Sequence, residues 1–200
     1  MSINDISVFL ANNLAEILDY NEEQADILRY GFEVIIGEFT KITILLILAL
    51  LLNILPQAIV ALLTISVYRL LSGGIHCKTY RLCFITSLVS LLCIGKFARE
   101  IPAYIEMSSF ILIVLTILVF ITSIFAVIKW APVDSNKRPV TIEEKKKFKI
   151  LSFIWIWIWF VIIFIIISVF SIEKIQSLVL ASIFAHLVQT FTLFPTVSKI

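Results

Sequence analysis

The chain has 200 residues, of which 60% are hydrophobic and 15% are charged, and its mean hydropathy is +1.07. It is far more apolar than a soluble domain, so we expect most of it to lie in lipid. A formal net charge of +2 is too small to indicate a nucleic-acid partner. Three cysteines are too few for a disulfide framework. These properties favour one membrane-embedded domain over residues 1–200.

Residues 1–36 have an amphipathic pattern that predicts interfacial or cytoplasmic helices. Apolar residues recur at helical spacing between acids and amides from Ile6 to Leu18, which is typical of a helix lying in the membrane interface. Asn21 with Gln24 three residues later predicts a capping box. The helix that starts there is expected to lead directly into the first membrane span.

Six apolar segments follow and are predicted to cross the bilayer as helices, since a span needs about 20 residues. Asn53 and Pro56 mark the end of the first span, and Thr141 with Glu144 predicts a capping box before the fifth. The predicted fold is therefore all-α: a polytopic membrane protein with six transmembrane helices and an N-terminal amphipathic interfacial helix. The spans are predicted at residues 37–55, 57–71, 82–98, 107–128, 150–172 and 175–197.

Basic residues are distributed unevenly between the two sides of this arrangement. If the N terminus is cytoplasmic, only Lys96, Arg99 and Lys174 of the 16 Lys and Arg residues lie outside, and the other thirteen lie inside. Cytoplasmic loops of membrane proteins carry the excess of Lys and Arg. We therefore expect a multi-pass protein with both termini, and the loop between spans two and three, in the cytoplasm.

That loop contains GGIHCKTYRLC, residues 73–83, which holds a histidine, a lysine, an arginine and two thiols. On an unbroken helix His76 and Cys83 would stand about 10 Å apart along the axis, too far for proton transfer. Gly73 and Gly74 can end the second span and permit a turn that brings the two together. The neighbouring cations would then favour the reactive thiolate. On spacing alone, a positive cytoplasmic loop with an incidental histidine is the stronger interpretation.

The three thiols have interpretations other than catalysis. His76, Cys77 and Cys83 supply at most three metal ligands, so no structural zinc and no cofactor are expected. Cys77 would point away from its neighbour His76 on a helix and is interpreted as a bystander, with a resolving thiol as the alternative. Cys93 lies in the middle of the third span, where a small buried hydrophobe is the ordinary interpretation.

Polar residues near the predicted spans are candidates for supporting roles. Arg69 would hold a substrate carboxylate or the charge of a tetrahedral intermediate, or else anchor the span at the headgroups. Glu38 is expected to pair with Lys41 in the next turn. Glu33 or Glu38 would alternatively orient His76.

His186 and Gln189 share one face of the sixth span, and hydrogen bonding between helices is favoured over catalysis for both. These residues also leave open a non-enzymatic function in transport. In a small transporter or channel subunit, Arg69, His186 and Gln189 would line a pathway across the bilayer.

The stretch YRLLSGGIHCKTYRLC, with Arg69, Gly73, Gly74, His76 and Cys83, resembles the motif of the accessory gene regulator protein B family. Members of this family are membrane endopeptidases of Gram-positive quorum sensing. Two further stretches, YGFEVIIGEFTKI before the first span and APVDSNKRPVTIEEKKKFK between spans four and five, are similar to the family as well. The residue after the motif histidine is commonly small and apolar, whereas it is Cys77 here.

The resemblance implies a cysteine endopeptidase in the bacterial cell membrane with His76 and Cys83 as the catalytic pair. It implies cleavage of the C-terminal tail of a short propeptide through an acyl-enzyme thioester, followed by closure of a thiolactone or lactone ring. The implied partner is an amphipathic peptide with an acidic tail, and a short chain with a shallow site is compatible with a homodimer. The cations that would attract that tail are Lys129, Lys137, Arg138 and the lysines of 145–149.

Overall fold

The computed structural model of the protein describes residues 3–74, 80–133 and 141–194. These segments contain seven helices and no strand beyond one isolated bridge. Six of them, α2 to α7, are long and apolar enough to cross a membrane, so the predicted all-α fold is confirmed. The helices are α1 (Ile3–Ile17), α2 (Glu22–Leu51), α3 (Leu55–Ser72), α4 (Tyr80–Tyr104), α5 (Ser109–Trp130), α6 (Ile142–Val169) and α7 (Ile172–Phe191).

Local sequence signals set the helix ends. The Asn21 side-chain oxygen accepts from the Gln24 backbone N–H at 2.9 Å, and the Gln24 side-chain oxygen accepts from the Asn21 backbone N–H at 3.0 Å. These two bonds confirm the first capping box. Thr141 and Glu144 form the second in the same reciprocal way. Asn53 has a positive φ of 55° where α2 ends, as predicted.

Several helices extend beyond the apolar segments that predicted them. α2 begins at Glu22 and α6 begins at Ile142, directly after the predicted caps at Asn21 and Thr141, so both predicted helix starts are confirmed. α7 ends at Phe191, and residues 195–197 of the predicted sixth span lie outside the described segments.

The chain divides into two compact units, Met1–Ile47 and Leu48–Ile200. In the first unit, Ser7, Ala11 and Ala15 recur every four residues along α1 and are buried. Phe9 is an exposed apolar side chain of the same helix, as expected for a helix at a membrane interface.

In the second unit, α7 is the central helix. It contacts α3, α4, α5 and α6, and half of the residues in its most apolar stretch are buried. Small residues on facing surfaces, such as Ala181 and Ala185 of α7 and Ala61 of α3, are fully buried. Close packing of small residues is the usual basis of helix association in lipid, where burial of apolar surface gives little driving force.

Hydrogen bonds join α3 to α7 along their length and show their relative direction. Gln57 donates to Ser177, Thr64 and Ser182 share a bond, and Gln189 donates to Ser72; the partners are 120, 118 and 117 residues apart. A nearly constant separation means that the two helices are parallel. We call this row of contacts the α3/α7 polar seam.

Candidate functional site

The first part of the site is the end of α3. The backbone leaves the helix at Gly73, whose φ of +71° lies in the left-handed region that glycine adopts without a steric penalty. The Gly73 N–H donates to the Arg69 carbonyl at 2.9 Å. The prediction that the glycines end the second span is confirmed.

The end of α3 lies directly against the residues that follow α5. The Val133 N–H donates to the Ser72 carbonyl at 3.1 Å, and Gly73 forms a parallel bridge with Val133. A Cβ on Gly73 would stand 2.5 Å from the Val133 carbonyl oxygen, so only glycine fits. The contact brings the C-terminal ends of α3 and α5 to the same end of the bundle.

Gln189 of α7 holds the same segment from another direction. Its side-chain Nε2 donates to the Gly73 carbonyl at 2.8 Å and to the Ser72 hydroxyl at 3.3 Å. The Ser72 hydroxyl donates in turn to the Tyr68 carbonyl at 2.8 Å. Ser72 and Gln189 are both buried, so these bonds are shielded from solvent.

Gly74 is the next residue, and it is enclosed by three side chains. A Cβ there would lie 2.9 Å from the Thr192 hydroxyl oxygen, 3.3 Å from Gln189 Nε2 and 3.7 Å from Arg69 Cζ. The structure thus brings three of the predicted supporting residues, Arg69, Gly74 and Gln189, to one place. The Arg69 guanidinium is beside the backbone that leads into the His76 segment.

The second part of the site is the start of α4. The helix begins at Tyr80, which places the half-buried Cys83 at its N-terminal end. His76, Cys77 and Lys78 lie outside the described segments, so the predicted pairing of His76 with Cys83 stays a prediction.

Cys93 is exposed, and the expectation that it is buried is wrong. The buried face of α4 is formed by Leu91, Ile94 and Ala98, which recur at helical spacing. Cys93 directly precedes Ile94 in the chain and lies outside that buried face. It lines a groove with Phe97, Phe184 and Leu187.

His186 is fully buried between two aromatic rings. It stacks on Tyr68 with the ring centroids 4.3 Å apart and on Trp159 at 4.0 Å. Neither imidazole nitrogen has a hydrogen-bond partner among the described residues. Hydrogen bonding between helices is therefore confirmed for Gln189 and wrong for His186, whose flat ring is held by stacking. Both side chains are buried within the bundle, and the alternative of a pathway across the bilayer stays a prediction.

Comparison with known proteins shows the family of the chain. The family model for Accessory gene regulator B matches residues 4–193 of the chain. The chain belongs to this family. It is 32% identical over 145 residues to an AgrB-like protein of Clostridium perfringens strain 13, covering 72% of this chain and 67% of that protein. It is 32% identical over 126 residues to accessory gene regulator protein B of Staphylococcus intermedius, covering 63% of each.

An AgrB-like protein of Clostridium beijerinckii is 30% identical over 151 residues, covering 73% of this chain and 71% of that protein. No solved structure matches the chain. With its six long apolar helices, this AgrB family member is a multi-pass membrane protein involved in accessory gene regulation.

The predicted pair of Glu38 and Lys41 is confirmed as an ion pair. Glu33 and Glu38 both belong to the unit Met1–Ile47, whereas the site is built from the unit Leu48–Ile200. A role of either carboxylate in orienting His76 stays a prediction.

The cationic residues of this AgrB family member differ in their surroundings. The Lys129 ammonium lies over the rings of Phe125 and Trp130, 5.4 and 5.3 Å from the centroids. Lys149 donates to the Ile128 carbonyl at 2.6 Å near the end of α5. Lys146 and Lys147 are exposed, and Lys137 and Arg138 lie outside the described segments. The first two lysines thus have contacts within the bundle, and the exposed pair faces outward from α6.

Sequence reasoning missed three residues that hold the site: Ser72, Val133 and Thr192. Each acts on Gly73 or Gly74 through contacts that have no local pattern. Ser72 and Thr192 are small polar residues at helix ends, which is an ordinary place for them. Val133 is more than 50 residues from Ser72 along the chain, and no spacing rule connects the two.

Proposed function

We propose that the protein is a membrane cysteine endopeptidase that removes the C-terminal tail of a short quorum-sensing propeptide, with Cys83 as nucleophile and His76 as its proton carrier. The observation that carries this proposal is the break between α3 and α4. α3 stops at a fixed glycine pair, and α4 starts three residues before Cys83. This interruption supports the pairing, because the chain leaves α3 at Gly73 and Gly74, before it reaches His76. His76 and Cys83 are therefore not held apart on a continuation of α3.

The reaction balances with these two residues alone. His76 takes the thiol proton, and the Cys83 sulfur attacks the carbonyl carbon of the scissile peptide bond. The C–N bond breaks, His76 returns the proton to the leaving nitrogen, and the tail departs with a free amino group. The remaining peptide stays on Cys83 as a thioester. A thiol or hydroxyl of the same peptide then attacks the thioester, which closes the ring and releases Cys83.

Cyclisation depends on keeping water away from the thioester. An intramolecular nucleophile has a high effective concentration, so it outcompetes hydrolysis where water is scarce. Cys83 is half-buried at the start of a helix that is apolar enough to span a membrane. These surroundings support the proposed second step.

Charge supports the proposed substrate. The Arg69 guanidinium beside Gly74 is suited to a substrate carboxylate or to the oxyanion of the tetrahedral intermediate. The exposed Lys146 and Lys147 would attract an acidic peptide tail.

We place the site and both termini on the cytoplasmic side. The uneven distribution of Lys and Arg supports this orientation. The parallel α3 and α7, and the contact of Val133 with Ser72, support it further, because α3, α5 and α7 then end on the side where the cationic loop begins.

The test is co-expression with a candidate propeptide, followed by mass spectrometry of the fragments and of any thioester trapped on the enzyme. We expect processing to be lost in Cys83→Ala and His76→Ala and kept in Cys77→Ala. Cys93→Ala is the matched control, because it removes a second thiol from the same helix. If Cys83→Ala still cleaves at the wild-type rate, the assignment of the nucleophile is wrong.

A further inference from the structure

We propose that Gln189 is a positioning residue for this reaction: its side-chain amide fixes Gly73 and Gly74, and so sets where the His76 segment leaves α3. The inference rests on the proposed roles of His76 and Cys83. It adds to them a residue 113 positions after His76, on the last described helix of the chain.

The Gly73 carbonyl lies beyond the end of α3, where the helix no longer supplies a donor. Gln189 Nε2 donates to it at 2.8 Å, which is the shortest bond made to this oxygen among the described residues. The Ser72 hydroxyl is 3.2 Å away, but it has one proton and lies closer to the Tyr68 carbonyl, at 2.8 Å. Among the described residues, Gln189 is therefore the main donor to this carbonyl.

The segment is held from two sides. Gln189 and Thr192 of the α7 end contact Gly73 and Gly74 on one side. Val133 contacts Ser72 and Gly73 on the other. Because the Val133 carbonyl leaves no room for a side chain at Gly73, the backbone has little room to shift while the Gln189 bond is made.

The position of this backbone matters for catalysis because His76 is the second residue after Gly74. Two residues span at most about 7 Å, so the place of Gly74 limits where the imidazole can be put. General-base catalysis needs the imidazole within about 3 Å of the thiol. Loss of the Gln189 bond would loosen one anchor of the segment without touching either reacting group.

The chain offers a matched control at the other end of the polar seam. Gln57 is also buried, its Nε2 donates to the Ser177 hydroxyl at 3.0 Å, and its Oε1, like that of Gln189, has no partner among the described residues. It lies 15 residues before Ser72 on α3, about 22 Å away along the helix. Replacing Gln57 removes an equivalent bond but leaves the glycine segment alone.

The test follows the reactivity of Cys83 and needs no substrate. In a Cys77→Ser, Cys93→Ser background, Cys83 is the single thiol, and its alkylation by iodoacetamide is measured across pH in the full-length protein in lipid nanodiscs. A thiol paired with His76 reacts at lower pH than a free one. We expect His76→Ala to lose this low-pH reactivity, Gln189→Met to lose it in the same way, and Gln57→Met to keep it.

Gln189→Asn is the second variant, because it keeps the amide but is one methylene too short to reach the Gly73 carbonyl. We expect it to show the same loss of low-pH reactivity while the protein stays folded, as judged by a cooperative unfolding transition in denaturing detergent. An unchanged pH profile in Gln189→Asn and Gln189→Met overturns the inference. An equal loss in Gln57→Met also overturns it, since the effect would then be structural. If His76→Ala itself matches the background, the pairing of His76 with Cys83 fails, and the proposed function fails with it.

Discussion

At the N-terminal end of the α3/α7 polar seam, the Gln57 amide reaches the Ser177 hydroxyl at 3.0 Å; at the C-terminal end, the Gln189 amide reaches the Gly73 carbonyl at 2.8 Å. The first bond joins two residues within regular helices. The second joins a side chain of α7 to the backbone just beyond the end of α3. The same side chain in the same interface thus fastens helices together at one end and positions a segment at the other.

The glycines near the two ends of the seam also differ in how much room they leave for a side chain. Near the N-terminal end, a Cβ on Gly95 of α4 would meet the tip of the Ile54 side chain at 3.1 Å. At the C-terminal end, a Cβ on Gly73 would meet a backbone oxygen at 2.5 Å. A side-chain tip can move aside and a fixed carbonyl cannot, so the C-terminal end tolerates less change.

The largest effect is expected for Gly73→Ala. The new Cβ collides with the Val133 carbonyl and the residue must hold a positive φ, which together should cost about 2–4 kcal/mol of unfolding free energy. Processing of the propeptide should be lost as well. Denaturing-detergent titration and the co-expression assay measure the two effects. Gly95→Ala is the control, and equal stability of the two variants would contradict the contrast between the ends.

An intermediate effect is expected for Gln57→Met. The variant loses the bond to Ser177, which should lower the free energy of unfolding by about 1 kcal/mol, while propeptide processing stays at the wild-type level. Gln189→Met should lose a similar amount of stability but also lose processing. If both variants process equally, the two ends of the seam do not differ in function.

The smallest effect is expected for His186→Phe, midway along the seam. Phenylalanine preserves the stack between Tyr68 and Trp159, and neither ring nitrogen of His186 has a partner to lose among the described residues. The free energy of unfolding should change by less than about 1 kcal/mol, with processing kept. Loss of processing in a stably folded variant would instead give His186 a direct part in the reaction.

Local features of the fold were predictable. The capping boxes at Asn21 and Thr141, and the helix end at Gly73, depend on residues within one turn of each other. The bounds of the spans within these helices stay predictions, because apolar runs locate the part of a helix in lipid and not the polar turns that precede it. The burial of Cys93 was predicted wrongly, since position within a span does not tell which face of the helix packs.

By itself, the sequence determined that the chain is a helical membrane protein, where several of its helices begin or end, and which motif carries the candidate chemistry. Tertiary structure alone decided that Gln189 bonds to Gly73, that Val133 packs against Ser72 and that His186 stacks without a hydrogen bond. The physical reason is distance along the chain. Gln189 and Gly73 are 116 residues apart, and no local periodicity or capping rule relates residues that meet only when the bundle packs.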